Sequence, residues 1–139
     1  MAKVIFILGL CGSGKTILAN KMMSESNVEC IEDFNTHFTE NYQQLVNYLL
    51  AEKDCIVIEI AYCIKDNRSK IIQKIKQDVP SADIEWICFE KDLDKAKINV
   101  LSRPERDPAS HLIINQNLFD LYTFPSNAQM LPIQTGSIS

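Results

Sequence analysis

The sequence predicts an α/β fold, a parallel sheet with helices on both faces, and three observations predict it. Short β-branched apolar runs recur along the chain without the polar alternation of a half-exposed strand. Helix-period stretches separate them, as crossover connections between parallel strands require. The first apolar run ends in a glycine-rich segment that opens into a helix, a junction suited to holding anions.

Strands are expected at residues 3–8, 28–31, 55–60, 84–89 and 130–133, and helices at 15–24, 39–52, 66–77, 92–101 and 109–121. The first strand is the apolar run that follows Lys3, and the helix after it continues through Thr16, Ile17, Leu18 and Ala19. Tyr42, Leu45, Val46 and Leu49 make one apolar stripe at helical spacing, and Ile64, Ile71, Ile72 and Ile75 make most of another. Pro80 and Ser81 mark one turn, and the stretch Arg103, Pro104, Glu105, Arg106, Asp107, Pro108 marks a second.

The 139 residues fit one domain spanning 1–139, and a hydrophobic share of 46% is too high for a disordered chain. A net charge of −4 gives no strong nucleic-acid footprint. The five cysteines form no C-x-x-C pair and have no histidine at zinc spacing, so they read as reduced thiols of a cytoplasmic protein. The apolar run 4–10 is far short of the roughly 20 residues that span a bilayer, and no membrane association is expected.

Residues 9–16 read GLCGSGKT, a full match to G-x-x-x-x-G-K-[ST]. A triphosphate needs several donors converging at short range. Backbone N–H groups supply them where Gly9, Gly12 and Gly14 permit unusual dihedrals, with Cys11 and Ser13 filling the loop between. Amides from Gly12 to Thr16 are expected to meet phosphate at the positive end of the following helix. Lys15 is expected to reach the β- and γ-phosphates and the Thr16 hydroxyl to bind Mg²⁺. The competing account is a flexible glycine turn with a solvated lysine.

The loop, the chain length and the strand spacing resemble the small P-loop kinases, particularly those similar to polynucleotide kinase, the zeta-toxin-like kinases and gluconate kinase. Further markers are Glu32 and Asp33 after the second strand, Arg68 after the third, and Arg103 and Arg106 after the fourth. The resemblance implies the three-layer P-loop NTPase fold with a five-stranded parallel sheet in the order 2-3-1-4-5, a mobile lid, and ATP-dependent transfer to a hydroxyl acceptor. The acceptor is a small molecule or a nucleic-acid 5′-hydroxyl.

Under this resemblance Asp33 is the catalytic base at the acceptor, with Glu32 as its stand-in; a helix N-cap or a loop carboxylate is the competing role for Asp33. Glu59 ends the third strand, where a carboxylate holds Mg²⁺ or serves the acceptor side, or is simply satisfied in place. Arg103 and Arg106 occupy the lid position and are assigned to charge developing on the transferring phosphoryl group, against the alternative of surface ion pairs. Arg68 is assigned to the acceptor or to bracing Asp33, against a solvated helix face. His37 and His111 are isolated and receive no role. Two other functions fit the same loop, a slow NTPase and a nucleotide-responsive regulatory module.

Overall fold

The computed structural model describes residues 2–103 and 107–135. Its strands are β1 (Lys3–Leu8), β2 (Val28–Glu32), β3 (Asp54–Ile58), β4 (Asp83–Phe89) and β5 (Gln129–Leu131). All pairings are parallel and the order is β2-β3-β1-β4-β5, the order the resemblance implied. The helices are α1 (Lys15–Glu25), α2 (Phe38–Leu50), α3 (Lys65–Asp78), α4 (Leu93–Leu101) and α5 (Pro108–Phe119).

The central strand explains why the apolar runs do not alternate. Successive side chains of a strand point to opposite faces, yet Val4, Ile5, Phe6, Ile7 and Leu8 are all buried, so both faces are covered. Phe6 stacks on Trp86 of β4 with centroids 4.5 Å apart and meets Tyr62 edge-on at 5.4 Å. The predicted stripe of α2 is the packed one, with Tyr42, Leu45 and Leu49 buried and Val46 half-buried. In the α3 stripe Ile71 and Ile75 are buried, and Ile72 and Ile64, the residue before the helix, are half-buried against the same core.

Boundaries differ where backbone donors choose the ending. β3 stops at Ile58, and Glu59 caps a 3-10 turn over Ile60–Cys63 by accepting the Ala61 N–H on Oε2 at 3.2 Å. An apolar run carries no periodicity that announces this stop; the carboxylate satisfies a backbone donor in the first turn of the 3-10 segment. β2 runs one residue further than expected, to Glu32. No described helix is long and apolar enough to cross a membrane. All five cysteines are free, and burial pushes the thiols of Cys63 and Cys88 up to about 11.

Candidate functional site

The loop between β1 and α1 is held in a form that only glycine adopts without strain. Gly12 has φ of 87° and Gly14 has φ of 104°. A Cβ on Gly12 would sit 2.5 Å from the Ala96 carbonyl oxygen, so α4 packs directly on the loop backbone. Gly14 is the N-cap of α1; it offers no side-chain acceptor, and no acidic residue lies in the first turn. The first-turn donors and the positive end of the helix dipole are therefore left for something else to satisfy.

Lys15 folds back inside the loop and donates from Nζ to the Gly9 carbonyl at 2.8 Å and the Leu10 carbonyl at 2.9 Å. Burial pushes its pKa below the usual lysine value, and the nearby Arg103 charge adds to the depression. The Ser13 side chain is 1% exposed and its hydroxyl has no hydrogen-bond partner. An orphaned buried polar atom is costly, and its position in a loop of convergent donors fits a polar ligand. The Ser13 N–H closes a turn on the Leu10 carbonyl at 3.2 Å.

The carboxylates sort by partner. Thr16 donates its hydroxyl to Glu32 Oε1 at 2.7 Å. Glu59 instead accepts the Asn35 N–H on Oε1 at 2.8 Å, in addition to capping the 3-10 turn. It thereby braces the β2–α2 loop, while Glu32 is the carboxylate that touches the Thr16 hydroxyl. Asp33 is exposed at φ 51°, a left-handed conformation unusual for a side-chain-bearing residue. It is not an N-cap, because α2 is preceded by His37, which makes no side-chain cap bond. One cavity of about 290 Å³ joins Lys15, Thr16, Glu32, Asp33, Glu59 and Arg103. No cluster of three or more His, Cys, Asp or Glu side chains suited to a metal occurs among the described residues.

Arg68 does not lie on a solvated helix face. Its side chain is 5% exposed, and Nη1 donates to the carbonyls of Tyr62 (3.0 Å), Cys63 (2.9 Å) and Thr123 (3.0 Å). Nη2 donates to Thr123 Oγ1 at 2.8 Å. These bonds staple the 3-10 turn to the segment after α5, leaving the guanidinium neither solvated nor turned to an acceptor. Arg103 follows α4, is half-buried and lines the cavity. Arg106 lies outside the described residues.

Sequence reasoning passed over three residues. His111, on α5, lines the same cavity as Lys15. Asn99 of α4 and Asn115 of α5 are each 2% exposed and hydrogen-bond to the loop backbone at Gly12 and Cys11. The available signal was a polar residue in a helix's buried register, Asn99 between Ala96 and Val100.

No protein-family model matches the sequence, nor does any curated protein. Solved structures do match over nearly the whole chain. A gluconokinase from Sinorhizobium meliloti 1021 superposes with a TM-score of 0.65 at 12% identity, over 97% of this chain and 84% of that one. A sugar kinase from Janibacter sp. HTCC2649 gives 0.61 at 15% identity, over 95% and 84%. An uncharacterized protein from Eubacterium ventriosum ATCC 27560 gives 0.58 at 12%, over 97% and 92%. The fold is that of P-loop kinases.

Proposed function

We propose that this protein is an ATP- and Mg²⁺-dependent phosphotransferase that moves the γ-phosphate of ATP to a hydroxyl acceptor. The observation that carries the reading is the shared cavity, in which the loop side chains Lys15 and Thr16 meet Asp33 and Arg103. A turn that merely changed chain direction would need neither a charged base nor a guanidinium on the same space. The neighbours named as gluconokinase and sugar kinase support a hydroxyl as the accepting group.

The residues fit the implied ligands. Gly9, Gly12 and Gly14 let the backbone approach phosphate, and the first-turn amides of α1, the Lys15 ammonium and the orphaned Ser13 hydroxyl are donors for its oxygens. Cys11 shapes the loop. Mg²⁺ would be held by the Thr16 hydroxyl with Glu32, while Glu59 on the same cavity braces the loop that carries Asp33, and the ion would neutralise charge on the β- and γ-phosphates. One or two protein carboxylates suffice for this ion because phosphates and water complete its shell.

Asp33 takes the proton of the acceptor hydroxyl, whose oxygen attacks the γ-phosphorus as the bond to the β–γ bridging oxygen breaks and ADP departs. Arg103, and Arg106 three residues on, stabilise the equatorial oxygens of the transferring group. Lys15 exchanges the Gly9 and Leu10 carbonyls for phosphate oxygens, which restores a full counter-charge to a desolvated ammonium. Catalysis of this kind is mainly positioning and charge stabilisation.

The test follows label from [γ-³²P]ATP with sugars, sugar acids, nucleosides and a 5′-hydroxyl oligonucleotide offered in turn. Labelled acceptor that disappears in Asp33→Asn is the expected result. Inorganic phosphate as the sole product under every condition would replace the transferase with a hydrolase.

A further inference from the structure

Two buried amide side chains run from the helices that flank residues 103–107 to the backbone of the phosphate loop. Asn115 Oδ1 accepts the Cys11 N–H at 2.7 Å, and its Nδ2 donates to the Cys11 carbonyl at 2.9 Å. Asn99 Nδ2 donates to the Gly12 carbonyl at 2.8 Å and to the Gln134 carbonyl at 2.8 Å. Each residue is 2% exposed and sits in a helix interior, where asparagine is a poor helix former and packs no better than an apolar residue. Simple packing gives no reason for either.

The geometry of the peptide bond supplies one. A trans peptide is planar, with its C=O and the next residue's N–H pointing in opposite directions. Holding the Cys11 carbonyl on Asn115 therefore fixes the direction of the Gly12 N–H. Holding the Gly12 carbonyl on Asn99 fixes that of the Ser13 N–H, which closes the turn on Leu10. Glycine tolerates both orientations of its neighbouring peptides, so Gly12 at positive φ does not by itself settle the Cys11–Gly12 peptide, whereas the Ser13 N–H bond to Leu10 shares in settling the next one.

We propose that Asn115 and Asn99 are positioning residues that preorganise the loop for a polyphosphate before it binds, Asn115 by aiming the Gly12 amide and Asn99 by holding the turn that the Ser13 N–H closes on Leu10. Donors fixed in advance cost no reorganisation when the anion arrives. The inference rests on the phosphate-binding reading of the loop.

Calorimetry with inorganic tripolyphosphate and Mg²⁺ tests it, below the unfolding temperature of every variant. Wild type binds, and Lys15→Ala does not. Asn115→Ala, the near-isosteric Asn115→Asp and Asn99→Ala each bind about ten-fold more weakly, the effect of one lost hydrogen bond. Asn117→Ala, an exposed asparagine on the same helix, binds as wild type. In ¹H–¹⁵N spectra the Gly12 amide shifts on ligand addition in wild type and not in Asn115→Asp, a readout that loss of packing alone would not move. Absent binding by wild type defeats the phosphate-binding reading. Binding that Lys15→Ala abolishes while folded Asn115 and Asn99 variants stay within two-fold of wild type overturns this inference alone. Hydrogen exchange of wild type needs no variant: the Cys11 amide is protected before ligand is added, and exchange at the rate of a free amide also overturns the proposal.

Discussion

The Thr16 hydroxyl donates to Glu32 Oε1 at 2.7 Å, joining the first turn of α1 to the end of β2. Glu59, one strand over, spends its oxygens on the backbone N–H groups of Asn35 and Ala61. The two acids on the same cavity thus have different tasks, one beside the hydroxyl proposed to bind the ion and the other bracing the loop that carries Asp33.

That division predicts opposite phenotypes. Glu32→Gln is expected to raise the Mg²⁺ concentration for half-maximal turnover about ten-fold with little change in stability. Glu59→Ala is expected to shift the Mg²⁺ requirement less than two-fold and to destabilise the fold by about 1 kcal/mol, the usual cost of losing a cap. Metal titration of turnover beside thermal unfolding separates them, and a larger Mg²⁺ shift in the Glu59 variant would reverse the assignment.

Asp33 pairs an uncommon backbone with the proposed base. At φ 51° glycine is less strained than aspartate, so Asp33→Gly is expected to leave stability unchanged or raise it by up to about 1 kcal/mol. Both Asp33→Gly and Asp33→Asn should lose at least a hundred-fold in transfer rate, a typical general-base contribution, while nucleotide affinity holds. Rate and calorimetric affinity measured on the same preparations check this; retained transfer in Asp33→Asn would remove the base from the mechanism.

Arg68 is predicted to matter for folding and not for substrate. Replacing it by Met leaves the buried carbonyls of Tyr62, Cys63 and Thr123 without their shared donor, at an expected cost of about 3 kcal/mol in urea unfolding. The KM for ATP and acceptor, measured where the variant is folded, should stay within two-fold. A variant of normal stability with a raised acceptor KM would return Arg68 to the site.

These residues show what a sequence reveals. The phosphate loop is legible because its chemistry is local: glycines, lysine and threonine at fixed spacing between an apolar strand and a helix need no distant partner. The sheet is legible because both faces of β1 are buried and the run Val4 to Leu8 is apolar throughout. The hydrogen bonds of Arg68 were not legible because Thr123, one of their acceptors, lies 55 residues away. Asn115 was passed over for the same reason, its bond to Cys11 spanning 104 residues. Glu32 ends β2 and Glu59 follows the end of β3, and nothing local in the sequence says which of the two reaches the Thr16 hydroxyl of α1.

Lys15 makes a prediction in pH. Burial lowers its folded-state pKa from an ordinary 10.5, so the folded chain releases this proton before the unfolded chain does. Between the two values the unfolded state binds more protons, and unfolding free energy gains from Lys15 as pH rises toward 10.5. Cys63 and Cys88 act in the opposite sense, since thiols raised from 9.0 to about 11 keep their protons longer when folded. Comparison of wild type with Lys15→Met cancels the Cys88 contribution, and making both proteins in a Cys63→Ala background removes that of Cys63, whose thiol the Lys15 charge holds down. The wild-type minus Lys15→Met difference in unfolding free energy, followed by urea titration from pH 7 to 10, is expected to increase with pH. Saturating tripolyphosphate should suppress the rise, because phosphate oxygens favour the charged ammonium and lift its pKa. Parallel pH profiles for the two proteins would mean that the ammonium in the loop is as well solvated as a surface lysine.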